Sequence, residues 1–391
     1  MKSQNTNNIG IIGVGKLGLP YALALEQCDY TVYASSYKQD YVDQLQNKIV
    51  DTEEPMVKEL LSTSKNIEFT VDNHRVIENC DFIYVMVATP SLPAGNYDID
   101  AVIQVARDFI SFPGNVRDKI LVIGSTVNPG DSQQIQEMLD QCGVNVVYCP
   151  TFVAQGTVIK DIYNSIGLLI GTNNQTAASQ CVKVFEKIIN PESKLSVVNH
   201  TTAEVLKLAL NCYTILRITY FNKIGEILAA CGQGDDIEKA NKTLNELDRR
   251  KGSLQFGFGF GGPCYPRDNK SLGHFANNLN IDYSIGYLVD QYNLNHNNFL
   301  FSWLNEQNTQ NRPIYFHYLT YKQGTTIDVE SRQFELCCKF LEHNHIVYVN
   351  PDQFLPQTMK KYLEENYPEK VFFKDKQTLI DQNIDFFEVP L

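Results

Sequence analysis

Near the start of the chain an apolar run, Ile9 to Val14, leads into GVGKLG, Gly13 to Gly18, and on into a helical pattern through Leu23 and Leu25. Strand, G-x-G-x-x-G and helix in that order leave few folds open. The glycines allow a tight turn and let the backbone approach a pyrophosphate at the helix N-terminus, where N–H groups and the dipole favour an anion. A plain strand-to-helix turn is the alternative reading. Beyond it, Tyr30 to Ala34, Phe82 to Ala88, Ile120 to Gly124, Val144 to Tyr148 and Ile166 to Ile170 read as strands between helical stretches. That alternation predicts an α/β chain whose N-terminal part is a Rossmann-type, doubly wound parallel sheet.

Ligands of such a sheet lie beyond the C-terminal ends of its strands. The second strand should end on a carboxylate for the adenosine ribose, but the sequence there reads Ser35, Ser36, Tyr37, Lys38. Hydroxyls and a lysine suit a 2′-phosphate better than two ribose hydroxyls, and neutral contacts to NAD are the alternative. One lysine without an arginine is a thin phosphate site, so NAD is the expected cofactor. Two further strand ends, VATP (Val87 to Pro90) and GSTVNPG (Gly124 to Gly130), bring Thr89 and Thr126 toward cofactor and substrate. Both could instead be ordinary turn or N-cap residues.

From Thr202 to Cys231 a helical pattern runs on, its one interior glycine being Gly225. At ~1.5 Å per residue this is a helix of roughly 45 Å, long enough to link two domains and carry a dimer face. Lys207 and Asn211 are four apart and share a side of it. A lysine among Val205, Leu206, Leu208, Ala209 and Leu210 is unusual for a core stripe, the alternative being a surface residue whose stem covers its neighbours. Next comes GFGFGGPCYPRD, Gly257 to Asp268. Glycines at that density let a backbone pass close to a ligand. Cys264, with Arg267 and Asp268 just beyond it, reads either as a nucleophile favoured by a nearby cation or as a small buried hydrophobe at a tight turn.

Residues 277–311 are rich in Asn and aromatics, and Arg312-Pro313 opens a second, smaller α/β segment. Its strands are expected at Ile314 to Leu319, Ile346 to Asn350, Val371 to Lys374 and Ile384 to Val389, with a helix from about Val329 to His343. The expected domains are residues 1–200 for the dinucleotide, 201–310 for the long helix and cysteine loop, and 311–391 for the smaller α/β unit.

Composition closes off other classes. The 391 residues carry a net charge of −12, and the isoelectric point near 5.1 argues against nucleic acid or an anionic membrane as partner. No apolar run approaches the ~18 residues of a bilayer span. The polar start, MKSQNTNN, leads directly into a strand and does not read as a signal peptide. Ten cysteines without a CxxC pair read as reduced thiols. His343 and His345 read as a helix end, and no metal is expected. A cytoplasmic location follows from these features.

Taken in order, these segments resemble the UDP-glucose/GDP-mannose dehydrogenase family, with a pattern closest to its UDP-glucose 6-dehydrogenases. GVGKLGLP resembles the family's nucleotide loop, and Glu54-Pro55 sits before a helix as in the family. VATPSLPAGNYDID resembles its V-x-T-P segment and GSTVNPG its S-T-V-x-P-G. AEVLKLALN, Ala203 to Asn211, resembles A-E-x-x-K-x-x-x-N, and GFGFGGPCYPRD resembles G-x-G-F-G-G-S-C-F-x-K-D. The last two together are specific, because a generic Rossmann enzyme has no reason to carry both.

The resemblance implies oxidation of the C6 alcohol of a nucleotide sugar to a carboxylate with two NAD per product. It makes Cys264 the nucleophile, Lys207 and Asn211 the groups that stabilise charge on the C6 oxygen, and Asp268 and Thr126 the holders of a water that carries protons. Gln155 occupies the place of the family's acid/base residue. Cofactor contacts fall on Gly13, Gly15, Lys16, Leu17, Gly18, Ser36, Lys38, Thr89, Pro90 and Thr126. The nucleotide sugar falls on Phe152, Val153, Lys207, Asn211, Phe256, Phe260, Gly261 and Lys322. A homodimer built on the long helix is implied as well.

This sequence also departs from the family pattern. P-E-F-L-x-E-G is PTFVAQG here, so Thr151 and Gln155 replace two glutamates. N-E on the long helix is Asn222-Lys223, and the ribose aspartate is Ser36. T-D-D-x-R-E-S is TTIDVES, with Val329 in place of the arginine. The family has final strands beyond the point reached by Leu391, so the C-terminal domain is expected as a truncated Rossmann-like one. These departures leave three outcomes open: the full reaction, on UDP-glucose or on another sugar such as a UDP-N-acetylhexosamine; a halt at the aldehyde or thioester; or binding without turnover.

Overall fold

A computed structural model describes residues 7–165, 167–247, 256–352 and 354–389; Ile166, the first residue of an expected strand, lies outside them. The chain forms two compact units, Met1–Leu208 and Ala209–Leu391.

In the first unit the elements run β1 (Asn8–Ile12), α1 (Gly18–Glu26), β2 (Thr31–Ser35), α2 (Gln39–Gln46), α3 (Val57–Thr63), β3 (Ile67–Thr70), α4 (Asn73–Asn79) and β4 (Phe82–Val85). They continue as α5 (Asp100–Ser111), β5 (Ile120–Ile123), α6 (Asp131–Leu139), β6 (Asn145–Tyr148), α7 (Val158–Tyr163), β7 (Gly167–Gly171), α8 (Gln175–Phe185) and β8 (Lys194–Val198). The sheet order is β3-β2-β1-β4-β5-β6-β7-β8. The order reverses between β1 and β4, which is where a doubly wound sheet opens a ligand crevice. β4 and β5 are buried throughout, and their unbroken apolar runs FIYV and ILVI are what covering on both faces demands. Below the crevice, Tyr84 meets Tyr21 and Phe185 edge-on, at 5.5 and 5.0 Å between ring centroids.

Two features differ from a wholly parallel sheet read off the apolar runs. β7 meets β6 antiparallel, at Tyr148 and Gly171, because the chain turns back through a short helix and needs no crossover. β8, KLSVV, is an edge strand exposed along most of its length, so it lacks the apolar run that marked the others.

The long helix, α9 (His200–Ala230), has 31 residues and begins in the first unit. The second unit holds the rest of α9, α10 (Ile237–Leu247), α11 (Tyr265–Asn278), α12 (Ser284–Gln307), β9 (Ile314–Phe316), α13 (Arg332–Glu342), β10 (Val347–Val349), α14 (Gln357–Asn366), β11 (Val371–Phe373), α15 (Lys376–Asp381) and β12 (Phe387–Glu388). Its four parallel strands lie in the order β11-β10-β9-β12. Phe316, Leu336, Phe340, Val347 and Leu363 of this smaller α/β layer share one core with Phe256, Leu300 and Leu304. That shared core is why residues 209–310 and the C-terminal sheet pack as one unit, without a break near 311. Among the described residues no helix is long and apolar enough to cross a membrane. All ten cysteines are thiols.

Candidate active site

The loop between β1 and α1 has the shape that a pyrophosphate needs. Gly13 has φ 100°, and a Cβ there would lie 2.8 Å from the carbonyl of Met86; one on Gly18 would lie 2.1 Å from the Gly13 oxygen. Gly15 faces open space with nothing within 4 Å. Packing therefore requires the outer two glycines, and the middle one leaves room for a ligand. The N–H groups of Gly13 and Val14 donate to the Ser35 carbonyl (2.9 and 3.0 Å) and lock the loop to β2. Lys16 is exposed beside it, and Leu17 leads into α1 without a side-chain cap. These residues fit a dinucleotide.

At the ribose end, Ser35 is buried and its hydroxyl donates to Asn73 (2.7 Å), so it is structural. Ser36 is half-buried, and Lys38 is exposed at the start of α2. A carboxylate at 36 would repel a 2′-phosphate and accept ribose hydroxyls. Wild-type protein is expected to prefer NAD, and Ser36→Asp to widen that preference by about 10-fold in kcat/KM. An unchanged ratio of the two cofactors would remove Ser36 from the ribose site.

The other strand-end segments lie where the topology requires. Thr89 is buried and Pro90 exposed; the Pro90 carbonyl accepts from Asp98 (2.8 Å), closing a small hairpin. Thr126 is half-buried, and its neighbour Ser125 donates to the Val87 carbonyl (2.7 Å), tying the two loops together. Glu204 carries a role that the motif spacing did not disclose. Fully buried, it accepts from the N–H groups of Gly130 and Ser132 (2.6 and 2.8 Å), joining the start of α9 to the start of α6. Burial raises its carboxyl above the ordinary range. Burial also pushes Asp131 up to about 6, against the bonds from Asn128, and the charge of Glu204 adds to the rise.

One turn beyond Glu204, Lys207 is half-buried with its Nζ 5.1 Å from the centre of the Phe152 ring. Two residues expected at the sugar are thus brought together. Thr151, Phe152, Val153 and Gln155 are all half-buried in the loop before α7. Glu54 holds that loop by accepting from Gly156 (2.8 Å) and Val158 (2.6 Å), and Asp161 by accepting from Ala154 (2.9 Å).

In the second unit, Cys264 is exposed and stands at the N-cap of α11. A helix N-terminus favours a thiolate, and the exposure does not suit a core hydrophobe. The Asp268 N–H donates to the Cys264 carbonyl (2.9 Å) one turn on. The buried Asp268 carboxylate accepts from the amide of Asn211. Asp268 and Asn211 are therefore an assembled pair, one helical turn along α11 from Cys264. The preceding glycine loop is held by side chains on its backbone: Asn293 bonds both N–H and carbonyl of Phe260 (2.8 Å each), and Arg332 donates to the same carbonyl (3.2 Å). At Gly261 a Cβ would sit 2.1 Å from the Glu330 carbonyl oxygen. No other residue fits there.

Sequence comparison decides what this assembly belongs to. The profile of the UDP-glucose/GDP-mannose dehydrogenase family, NAD binding domain, matches residues 7–189, and that of the family's central domain matches residues 201–295. The chain belongs to the UDP-glucose/GDP-mannose dehydrogenase family. It is 26% identical over 369 residues to UDP-glucose 6-dehydrogenase of Rickettsia bellii, covering 92% of this chain and 84% of that protein. To the protein of the same name from Rickettsia prowazekii it is 29% identical, covering 91% and 83%. The structure of a UDP-glucose dehydrogenase from Pyrobaculum islandicum superposes with a TM-score of 0.78 at 21% identity, covering 100% of this chain and 91% of the other. A UDP-D-ManNAc dehydrogenase from Pyrococcus horikoshii superposes at 0.72, also at 21% identity, covering 88% and 83%. These superpositions bear on fold. Family membership makes the protein an NAD-dependent nucleotide-sugar dehydrogenase.

Within this dehydrogenase two expected sugar contacts need correction. Phe256 is buried, edge-on to His296 and Trp303 at 5.5 and 5.4 Å, and Phe260 is buried against Ile215 and Val289. Both rings are core; the alternation with glycine turns them inward while the backbone stays near the surface. Lys322 is half-exposed, its carbonyl accepting from Thr320 and Thr325 (2.9 Å each). Val329, in place of the family's arginine, is exposed. Lys223, in place of a glutamate, pairs with Glu226.

Proposed function

We propose that this dehydrogenase oxidises the C6 alcohol of UDP-glucose to the carboxylate, giving UDP-glucuronate in two steps through a covalent bond to Cys264. The carrying observation is the exposed thiol at the head of α11, one turn before a buried aspartate held by Asn211. The choice of UDP-glucose rests on the names of the Rickettsia relatives.

The C6 hydroxyl loses a proton and C6 a hydride, leaving an aldehyde. The Cys264 thiolate adds to its carbonyl carbon, and the oxygen takes up a proton to give a thiohemiacetal. Loss of that proton and a second hydride leaves a thioester. Water then attacks the thioester carbon, the C–S bond breaks, and carboxylate and thiol are released. NAD, when bound, supplies the hydride acceptor for each oxidation. Lys207 and Asn211, one turn apart on α9, would hold the C6 oxygen where negative charge grows, as oxyanion donors do. Asp268 and Thr126 would keep the proton-carrying water, and the backbone from Gly257 to Gly262 would lie along the sugar.

The replacements at Thr151, Gln155 and Val329 support a second reading, a member that binds nucleotide sugar and cofactor with slow turnover or none. Incubation with UDP-glucose, a UDP-N-acetylhexosamine or GDP-mannose, each with NAD, separates the readings by mass spectrometry of the products. UDP-glucuronate from UDP-glucose alone is the expected result. A carboxylate from another sugar reassigns the substrate, and binding without reduced cofactor supports the second reading.

We also propose a homodimer. Leu210, Tyr213, Tyr220 and Ile227 are exposed on α9 at three- and seven-residue spacing, one apolar stripe along the helix. Monomers rarely leave such a patch uncovered. Light scattering is expected to give twice the 44.4 kDa chain mass, and Tyr220→Lys with Ile227→Lys is expected to give the monomer. A wild-type monomer would contradict the proposal.

A further inference from the structure

Gly257, the first glycine of the cysteine loop, has both backbone groups held by side chains of two helices. Its N–H donates to the Asn222 side-chain oxygen on α9 (3.1 Å), and its carbonyl faces Nε2 of His296 on α12 (2.8 Å). The other ring nitrogen, Nδ1, lies 2.7 Å from the carboxylate of Glu226. A carbonyl can only accept a hydrogen bond, and an ionised carboxylate likewise. Both nitrogens of His296 therefore face acceptors, which a neutral imidazole with one N–H cannot satisfy. His296 is only 2% exposed, so a neutral ring would leave one buried acceptor facing a nitrogen lone pair, with no bulk solvent to turn to.

What surrounds the ring agrees with a cation. Lys223 pairs with Glu226 on the far side and keeps that carboxylate ionised. Burial acts to raise the Glu226 carboxyl, but bonds from His296 and Lys223 outweigh it and leave it below the ordinary range. The His296 ring also stacks on Phe299 (6.1 Å, 11° between planes) and meets Phe256 edge-on.

We propose that His296 is a positioning residue held as an imidazolium between Glu226 and the Gly257 carbonyl, fixing the start of the loop that leads to Cys264. Glu226 and Lys223 are the charged partners of this clamp, and Asn222 is its neutral half. Removal of the ring proton at high pH takes away one of the two bonds. The proton that remains stays toward the Glu226 carboxylate, the stronger acceptor, and the Gly257 carbonyl loses its donor, so the loop loses its tie to α9 through α12. Charge-assisted bonds of this kind are the strong ones, and small displacements of a reacting group carry large rate costs.

The kinetic part of the test rests on the dehydrogenase reading, whereas the protonation state does not. In protein labelled with ¹⁵N-histidine, the His296 signals are assigned as those missing from His296→Gln among the seven histidines. At pH 7 both ring nitrogens are expected to be protonated, whether or not the protein turns over. A neutral ring with a single N–H would overturn the proposal. His296→Gln, which keeps a donor for one acceptor only, is expected to lower kcat/KM for the nucleotide sugar by about 10-fold or more and to abolish the alkaline fall in rate due to this group. His296→Arg, a permanent cation that also stacks on aromatic rings, is expected to restore most of the rate without that fall. Wild-type kinetics with an unchanged pH profile in His296→Gln would show that the clamp does not position the loop. If that variant does not fold, His296→Arg supplies the assignment in its place, and the wild-type spectrum with the pH profile of Glu226→Gln decides the question. In Glu226→Gln the ring is expected to lose its charge at lower pH than in wild type, and no change would count against the proposal.

Discussion

Cys264→Ala is expected to lower formation of the carboxylate by ~10⁴-fold or more while leaving the fold intact. Alanine cannot hold the aldehyde as a thiohemiacetal, so the second hydride has no covalent intermediate from which to leave, and losses of this size follow removal of a nucleophile. The fold should not suffer. The thiol is exposed, and it makes no capping bond to α11; surface changes of this kind usually stay within about 0.5 kcal/mol. Asp268 and Asn211, which bond each other, should hold their places. Steady-state product analysis and a melting curve on the same preparation check both halves. Uronate at the wild-type rate would exclude the covalent route.

Gln155 controls what happens next. Thioester hydrolysis needs a group to take a proton from the attacking water, and a general base contributes ~10²–10⁴-fold. A glutamine can orient a water but cannot ionise. Asp268 is committed to Asn211, and Thr151 stands where the family has its other glutamate. Hydrolysis is therefore expected to limit turnover, and Cys264 to accumulate as the thioester. Rapid mixing with excess UDP-glucose and NAD should give a burst of up to two reduced cofactors per site, then a slow steady rate, with the sugar adduct visible in the intact mass. Gln155→Glu is nearly isosteric, and the loop around it is already fixed by Glu54 and Asp161. It should raise the steady rate by ~10-fold or more. A linear time course without adduct, in protein that turns over, would mean that another group supplies the base.

Much of this was legible because the motifs depend on local spacing. Strand, glycine loop and helix at Gly13 to Gly18 appear where the periodicity changes, and Lys207 and Asn211 fall one turn apart by count alone. The polar supports of the site were not legible. Glu204 and Glu54 stand in short motifs, but the backbone N–H groups they bond are far away in sequence, and the motifs do not say which. α12 was hidden because Asn293, His296 and Asn297 occupy buried positions of its stripe, places that a periodicity argument reserves for apolar side chains. Phe256 and Phe260 misled for the opposite reason. Their backbone belongs to the loop expected at the sugar, whereas their rings belong to the core.

The ratio of reduced cofactor to product, measured with UDP-glucose and NAD, tests the central claim most directly. Two molecules of reduced cofactor for each UDP-glucuronate, with no free aldehyde at any time, is the result this account predicts. One reduced cofactor for each released aldehyde would contradict it, because the thiol of Cys264 would then not hold the intermediate between the two oxidations.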